Sequence, residues 1–129
     1  MSKKKEIIHV NEFDCDVYPI TLWVGITDDF NPVLEQFSPD YEDDEKNNAM
    51  TFIVAHEEKM KVGALVLFRD PEYIDFASVA HESSHAAKAI FRYIGADIDS
   101  DECFEYLVGW IAKCCEKSRD AVLKGKKRK

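Results

Sequence analysis

Three side chains in this sequence are of the types and spacing that perform hydrolysis: His81, Glu82 and His85, within His81-Glu82-Ser83-Ser84-His85. Histidines four apart on a helix stand one turn above each other, so their imidazoles can converge on one tetrahedral Zn²⁺. Glu82, one residue along, reaches a water on the same ion and can act as its general base. The pattern is short, so its setting decides between chemistry and a polar helix face whose histidines are satisfied by hydrogen bonds. It must lie inside a helix, and that helix must have a surface to pack on.

Both conditions are predicted. Asp75 to Gly95 reads as one helix, with Asp75 as N-cap, Gly95 as the residue that ends it, and Phe76, Val79, Ala86, Ala87, Ile90, Tyr93 and Ile94 at helical spacing. A catalytic zinc takes three protein ligands and leaves one position to water. No histidine follows His85, and His9 and His56 fall in predicted strands. The acidic start of the next helix, with Asp101, Glu102 and Glu105, is the better source of the third ligand. On a helical wheel Asp101 and Glu105 flank that helix's apolar stripe, whereas Glu102 lies away from it. Asp99-Ser100-Asp101-Glu102 is also a capping box, which gives Glu102 a structural job.

The remaining elements form the platform. Glu6–Phe13 and Ile20–Ile26 are rich in β-branched and aromatic residues and predict strands. A short helix from Asp28 or Asp29 to Phe37 tolerates Pro32 in its first turn. Ser38–Asn48, with its run of acids, has little to bury and reads as an exposed loop. Met50–His56 alternates Met50, Phe52 and Val54 against Thr51, Ile53 and Ala55, and pairs with the apolar run Val62–Phe68 as a hairpin. The second long helix opens at Asp99–Glu102, carries the stripe Phe104, Leu107, Val108, Ile111 and Cys115, and is expected to end near Lys117 to Val122. The short Gly95–Ile98 connection makes the two helices an antiparallel pair. The expected architecture is one α+β domain over residues 1–129, a small mostly antiparallel sheet packed on two long helices, with disordered basic ends at about 1–5 and 123–129. Trp23 and Trp110 lie in apolar patterns and are expected in the core.

At this point the sequence resembles a known family. His81-Glu-Ser-Ser-His85 followed by Glu102-Cys-Phe-Glu-Tyr-Leu-Val-Gly109 is similar to the gluzincin branch of the zincin metallopeptidases, in which a glutamate on the following helix joins the two histidines. Ala80–Ala86 with Tyr106-Leu-Val-Gly-Trp-Ile111 resembles small phage- or mobile-element-type proteins of that minimal kind, over roughly residues 50–115. The resemblance implies that His81, His85 and Glu102 bind zinc and that Glu82 is the general base, with Glu105 as the alternative third ligand. It implies a peptidase-like hydrolase in which Glu82 passes a proton from water to the leaving amine. It also implies that the strand at Val62–Phe68 pairs with an extended peptide. Tyr93, Tyr106 and His56 are the candidate oxyanion partners. The alternatives are a zinc-stabilised interaction or regulatory protein without turnover, and a metal-free binding module with an incidental motif.

Charge narrows the partners. The formal charge is −8, but Lys3, Lys4, Lys5, Lys124, Lys126, Lys127, Arg128 and Lys129 hold eight of the 17 basic residues, so residues 6–123 carry nine bases against 25 acids. Such a body repels phosphate backbones, which argues against nucleic acid. No apolar run reaches the roughly 20 residues of a membrane span, and Met1–Ile8 is too polar for a signal peptide, so the sequence predicts the cytoplasm. Cys15, Cys103, Cys114 and Cys115 include no Cys-x-x-Cys pair and are expected as reduced, mostly buried thiols.

Overall fold

Two strands are apolar on both faces, and they form the middle of the sheet. The computed structural model describes residues 9–15, 17–37, 46–56, 58–99 and 101–127. Its strands are β1 (His9–Asp14), β2 (Thr21–Ile26), β3 (Ala49–His56) and β4 (Lys61–Phe68), in the order β1-β2-β4-β3. Every residue of β2 is buried, as is β4 from Gly63 to Phe68. Strands covered on both faces read as continuous apolar runs, and these two pair in parallel, Thr21 opposite Gly63 and Ile26 opposite Phe68. A Cβ at position 63 would lie 1.6 Å from the Thr21 carbonyl oxygen, so this register requires glycine there.

The sheet therefore departs from the mostly antiparallel one expected: β1/β2 and β3/β4 are antiparallel, and the central pair is not. It is also covered on both faces. Leu22, Val24, Ile26, Ala64, Val66 and Phe68 point toward the two long helices, whereas Trp23, Leu65 and Leu67 join Phe52 and Val54 of β3 against Phe30, Val33, Leu34 and Phe37. The last three belong to α1 (Asn31–Phe37), the third helix, whose apolar face closes the sheet's second side. The result is an α+β fold with a four-stranded mixed sheet and three helices.

A 3₁₀ turn at Pro71–Tyr73 leads from β4 into α2 (Phe76–Ile94). The Asp75 carboxylate accepts from the Ser78 N–H at 2.8 Å, and Gly95 ends the helix at φ 77°. The second long helix is α3 (Asp101–Lys127). It runs beyond the expected end, through most of the segment expected to be disordered. Ser118 and Val122 continue its buried stripe, Arg119 donates to the Ile74 carbonyl at 3.1 Å, and the basic residues that follow suit a helix C-terminus. The N-terminal residues 1–8 and most of the acidic loop, residues 38–45, lie outside the described set.

Trp23 is buried and donates its indole N–H to Glu12 at 3.0 Å, while Trp110 is only half-buried at the edge of the core. All four cysteines are free. Cys114 and Cys115 are buried, Cys15 is half-buried and Cys103 is exposed, so burial holds for two of the four.

Candidate functional site

The buried stripe of α2 is Glu82, Ser83, Ala86, Ala87, Ile90 and Phe91. At 100° per residue, His81 and His85 fall on the opposite side, and both are exposed. Their imidazoles turn toward each other along the helix, with ring centroids 4.6 Å apart and Nε2 facing Nε2 at 3.2 Å. Two nitrogens at about 2.0–2.1 Å from a tetrahedral zinc stand about 3.3 Å apart, so the pair already has the spacing of two zinc ligands.

Glu82 points elsewhere. Its side chain is 7% exposed, and its Oε1 accepts from the Thr51 hydroxyl at 2.5 Å. Thr51 lies on the α2-facing side of β3, opposite Val66 of β4. A buried carboxylate needs a donor, and this hydroxyl supplies one from the sheet. The carboxylate also approaches Cys115 of α3. Burial pushes that thiol up to about 12, helped by Cys114 and Glu82, which keeps it protonated and unreactive. Ser83, beside Glu82, is fully buried, and its hydroxyl has no partner among the described residues.

The acids expected to complete a metal site stand apart from the histidines. Phe91 packs edge-on against Phe104 with centroids 5.5 Å apart, and Phe76 and Val79 share a groove with Ala112, Glu116 and Arg119. The helices are thus antiparallel, as the short connection required. Glu102 and Glu105 flank Phe104, so both sit near the level of Phe91, about 9 Å along the axis beyond His85. Both are exposed, and among the described residues no third His, Cys, Asp or Glu forms a metal-holding group with the pair. The side chain of Asp101 lies outside the described set.

None of the three oxyanion candidates is brought to the pair. Tyr106 lines a cavity of about 370 Å³ with Val17, Tyr18 and Trp110 on the far flank of α3. His56 packs on Phe37 and Trp23, on the α1 side of the sheet. Tyr93 is exposed two helical turns past His85. The strand expected to receive a peptide is also displaced. Val62–Phe68 belongs to β4, which is hydrogen-bonded on both edges, so the outer strands among the described residues are β1 and β3, and β3 is the one that packs on α2. Apolar residues on both faces of the Val62–Phe68 run were the sign of its central position.

Sequence reasoning missed Thr51 as the partner of Glu82. Its signal was the alternation of β3, which sets Thr51, Ile53 and Ala55 on one face and Met50, Phe52 and Val54 on the other. No helix among the described residues is long and apolar enough to cross a membrane. Comparisons with protein-family models, curated proteins and solved structures find no match to this chain.

Proposed function

We propose that this chain is a zinc-dependent, peptidase-like hydrolase of the cytoplasm. The observation that carries the reading is the 3.2 Å Nε2–Nε2 approach of His81 and His85 on an exposed helix face. These residues would hold the ion; the expected third ligand, Glu102 or Glu105 at the start of α3, stands about 9 Å beyond His85 along α2 and would have to be drawn in on binding. When bound, zinc supplies Lewis acidity toward a water and a carbonyl at neutral pH. Glu82, the expected proton carrier, is held in the core by the Thr51 hydroxyl on the opposite side of α2 from the imidazoles, so to serve a water at the pair its side chain would have to leave Thr51. The outer edge of β3 offers its backbone N–H and C=O groups to an extended peptide running alongside α2.

A second reading has its own support. A Glu82 that is buried and tied to Thr51 is also what a zinc-stabilised interaction protein without turnover would have. Glu82→Gln separates the two. For a hydrolase, the substitution abolishes cleavage of an unstructured protein and leaves zinc content unchanged. A biological activity that survives the substitution supports the non-catalytic protein.

A further inference from the structure

We propose that His81 and His85 of two copies of this chain enclose one shared zinc ion, joining the copies through their α2 helices. The inference rests on the zinc reading above and adds a partner to it: a second copy of the same chain. Both imidazoles lie on the exposed side of α2, away from the core, with their Nε2 atoms at the spacing of two tetrahedral ligands. Among the described residues no third protein donor joins them, so each copy supplies half of a four-ligand shell. A two-fold axis through the ion brings the same pair from the second copy and closes the shell.

The charges along α2 suit that axis. The midpoint of the pair is Ser83. Arg92 lies nine residues beyond it, and Asp75 lies eight before it. Reversing the helix about this midpoint sets Arg92 of one copy at the level of Asp75 of the other, within about one residue's rise of 1.5 Å. Arg92 and Asp75 are both exposed, so this one pair of opposite charges meets twice across the axis. The helix dipoles oppose each other in the same arrangement. The small residues Ala77, Ser78 and Ser84 around the pair leave room for the second copy's imidazoles.

Four protein ligands make a closed site with no position for water, as in structural zinc centres. The dimer is then a resting form, and the proposed hydrolase requires the open site of a single copy.

The test is sedimentation velocity of the untagged chain during titration with zinc chloride, with the zinc content of each species measured. The expected result is a doubling of mass that saturates at about one zinc per two chains and reverses with EDTA. His85→Ala stays monomeric over the same titration. Arg92→Glu folds as the parent and weakens the dimer about fivefold, the effect of an exposed ion pair at its upper range. A monomer that holds one zinc overturns the dimer and leaves the hydrolase reading standing. A chain that binds no zinc overturns both. A dimer that persists in EDTA, or that His85→Ala forms equally well, overturns the shared site.

Discussion

The two sides of α2 are one residue apart in sequence and opposite in physics. Ala86, Ala87, Ile90 and Phe91 are fully buried between the sheet and α3, and Glu82 is held there by Thr51. His81, His85, Lys88 and Arg92 face outward, and among the described residues the two imidazoles have only each other. The buried side owes its conformation to packing and tolerates little change. The outward side contributes little to stability, which leaves its histidines free to be committed to a ligand. The motif straddles this division: Glu82 belongs to the core, and both histidines belong to the surface.

The largest expected effect is on the buried side. Ile90→Ala should cost about 3 kcal/mol, from lost burial and the cavity it leaves, read as a lower urea midpoint at unchanged slope. A loss below about 1 kcal/mol would mean that α2 is not seated as described. Next, Thr51→Val removes the donor to a buried carboxylate oxygen and should cost about 1–3 kcal/mol. Thr51→Ser should recover most of it, and a failure to do so would assign the loss to packing rather than to the bond.

Glu12, on the other edge of the sheet, shows what a surface carboxylate does when it is engaged. Lys61 and Lys59 donate to it at 2.6 and 2.9 Å and, with Trp23, hold its carboxyl at about 2 against an ordinary 4.5. A folded value below the unfolded one stabilises the fold fully above pH 4.5, and the contribution is lost as pH falls from 4.5 toward 2. Its side chain is 27% exposed, so screening by water leaves about 1 kcal/mol at pH 7. Urea titrations of Glu12→Gln and the parent should therefore differ at pH 7 and converge near pH 2. The smallest effect belongs to the outward side of α2. His81→Ala in metal-free protein should shift stability by no more than about 0.5 kcal/mol. A larger loss would mean that the imidazole pair holds the helix together without any ion.

The long periodic elements were legible because local chemistry agrees with their packing. Asp75 and Gly95 bound α2 where their side chains and backbone freedom predict, and Leu107, Ile111 and Cys115 of α3 are buried as their spacing requires. What escaped the sequence depends on distant segments. The parallel pairing of β2 with β4 joins two strands covered on both faces, and the second cover is α1, whose apolar face was visible but whose position was not. The end of α3 was misplaced because Ser118 and Val122 look ordinary until the sheet and Ile74 are set against them. In the site, the histidine spacing determined the convergence of His81 and His85. Thr51 lies 31 residues from Glu82, and only the fold brings them together. Glu102 and Glu105 were placed by sequence in the right helix, but their level along α2 depends on the Phe91–Phe104 contact, which no local pattern encodes.

The central claim is that the outward pair of α2 binds zinc, and elemental mass spectrometry tests it most directly. Untagged parent protein and the double variant His81→Ala/His85→Ala would be incubated with zinc, freed of excess and measured for metal per chain. The account predicts between one zinc per two chains and one per chain for the parent, depending on whether the ion is shared, and none above background for the variant. Equal metal in both proteins, or none in the parent, would contradict it.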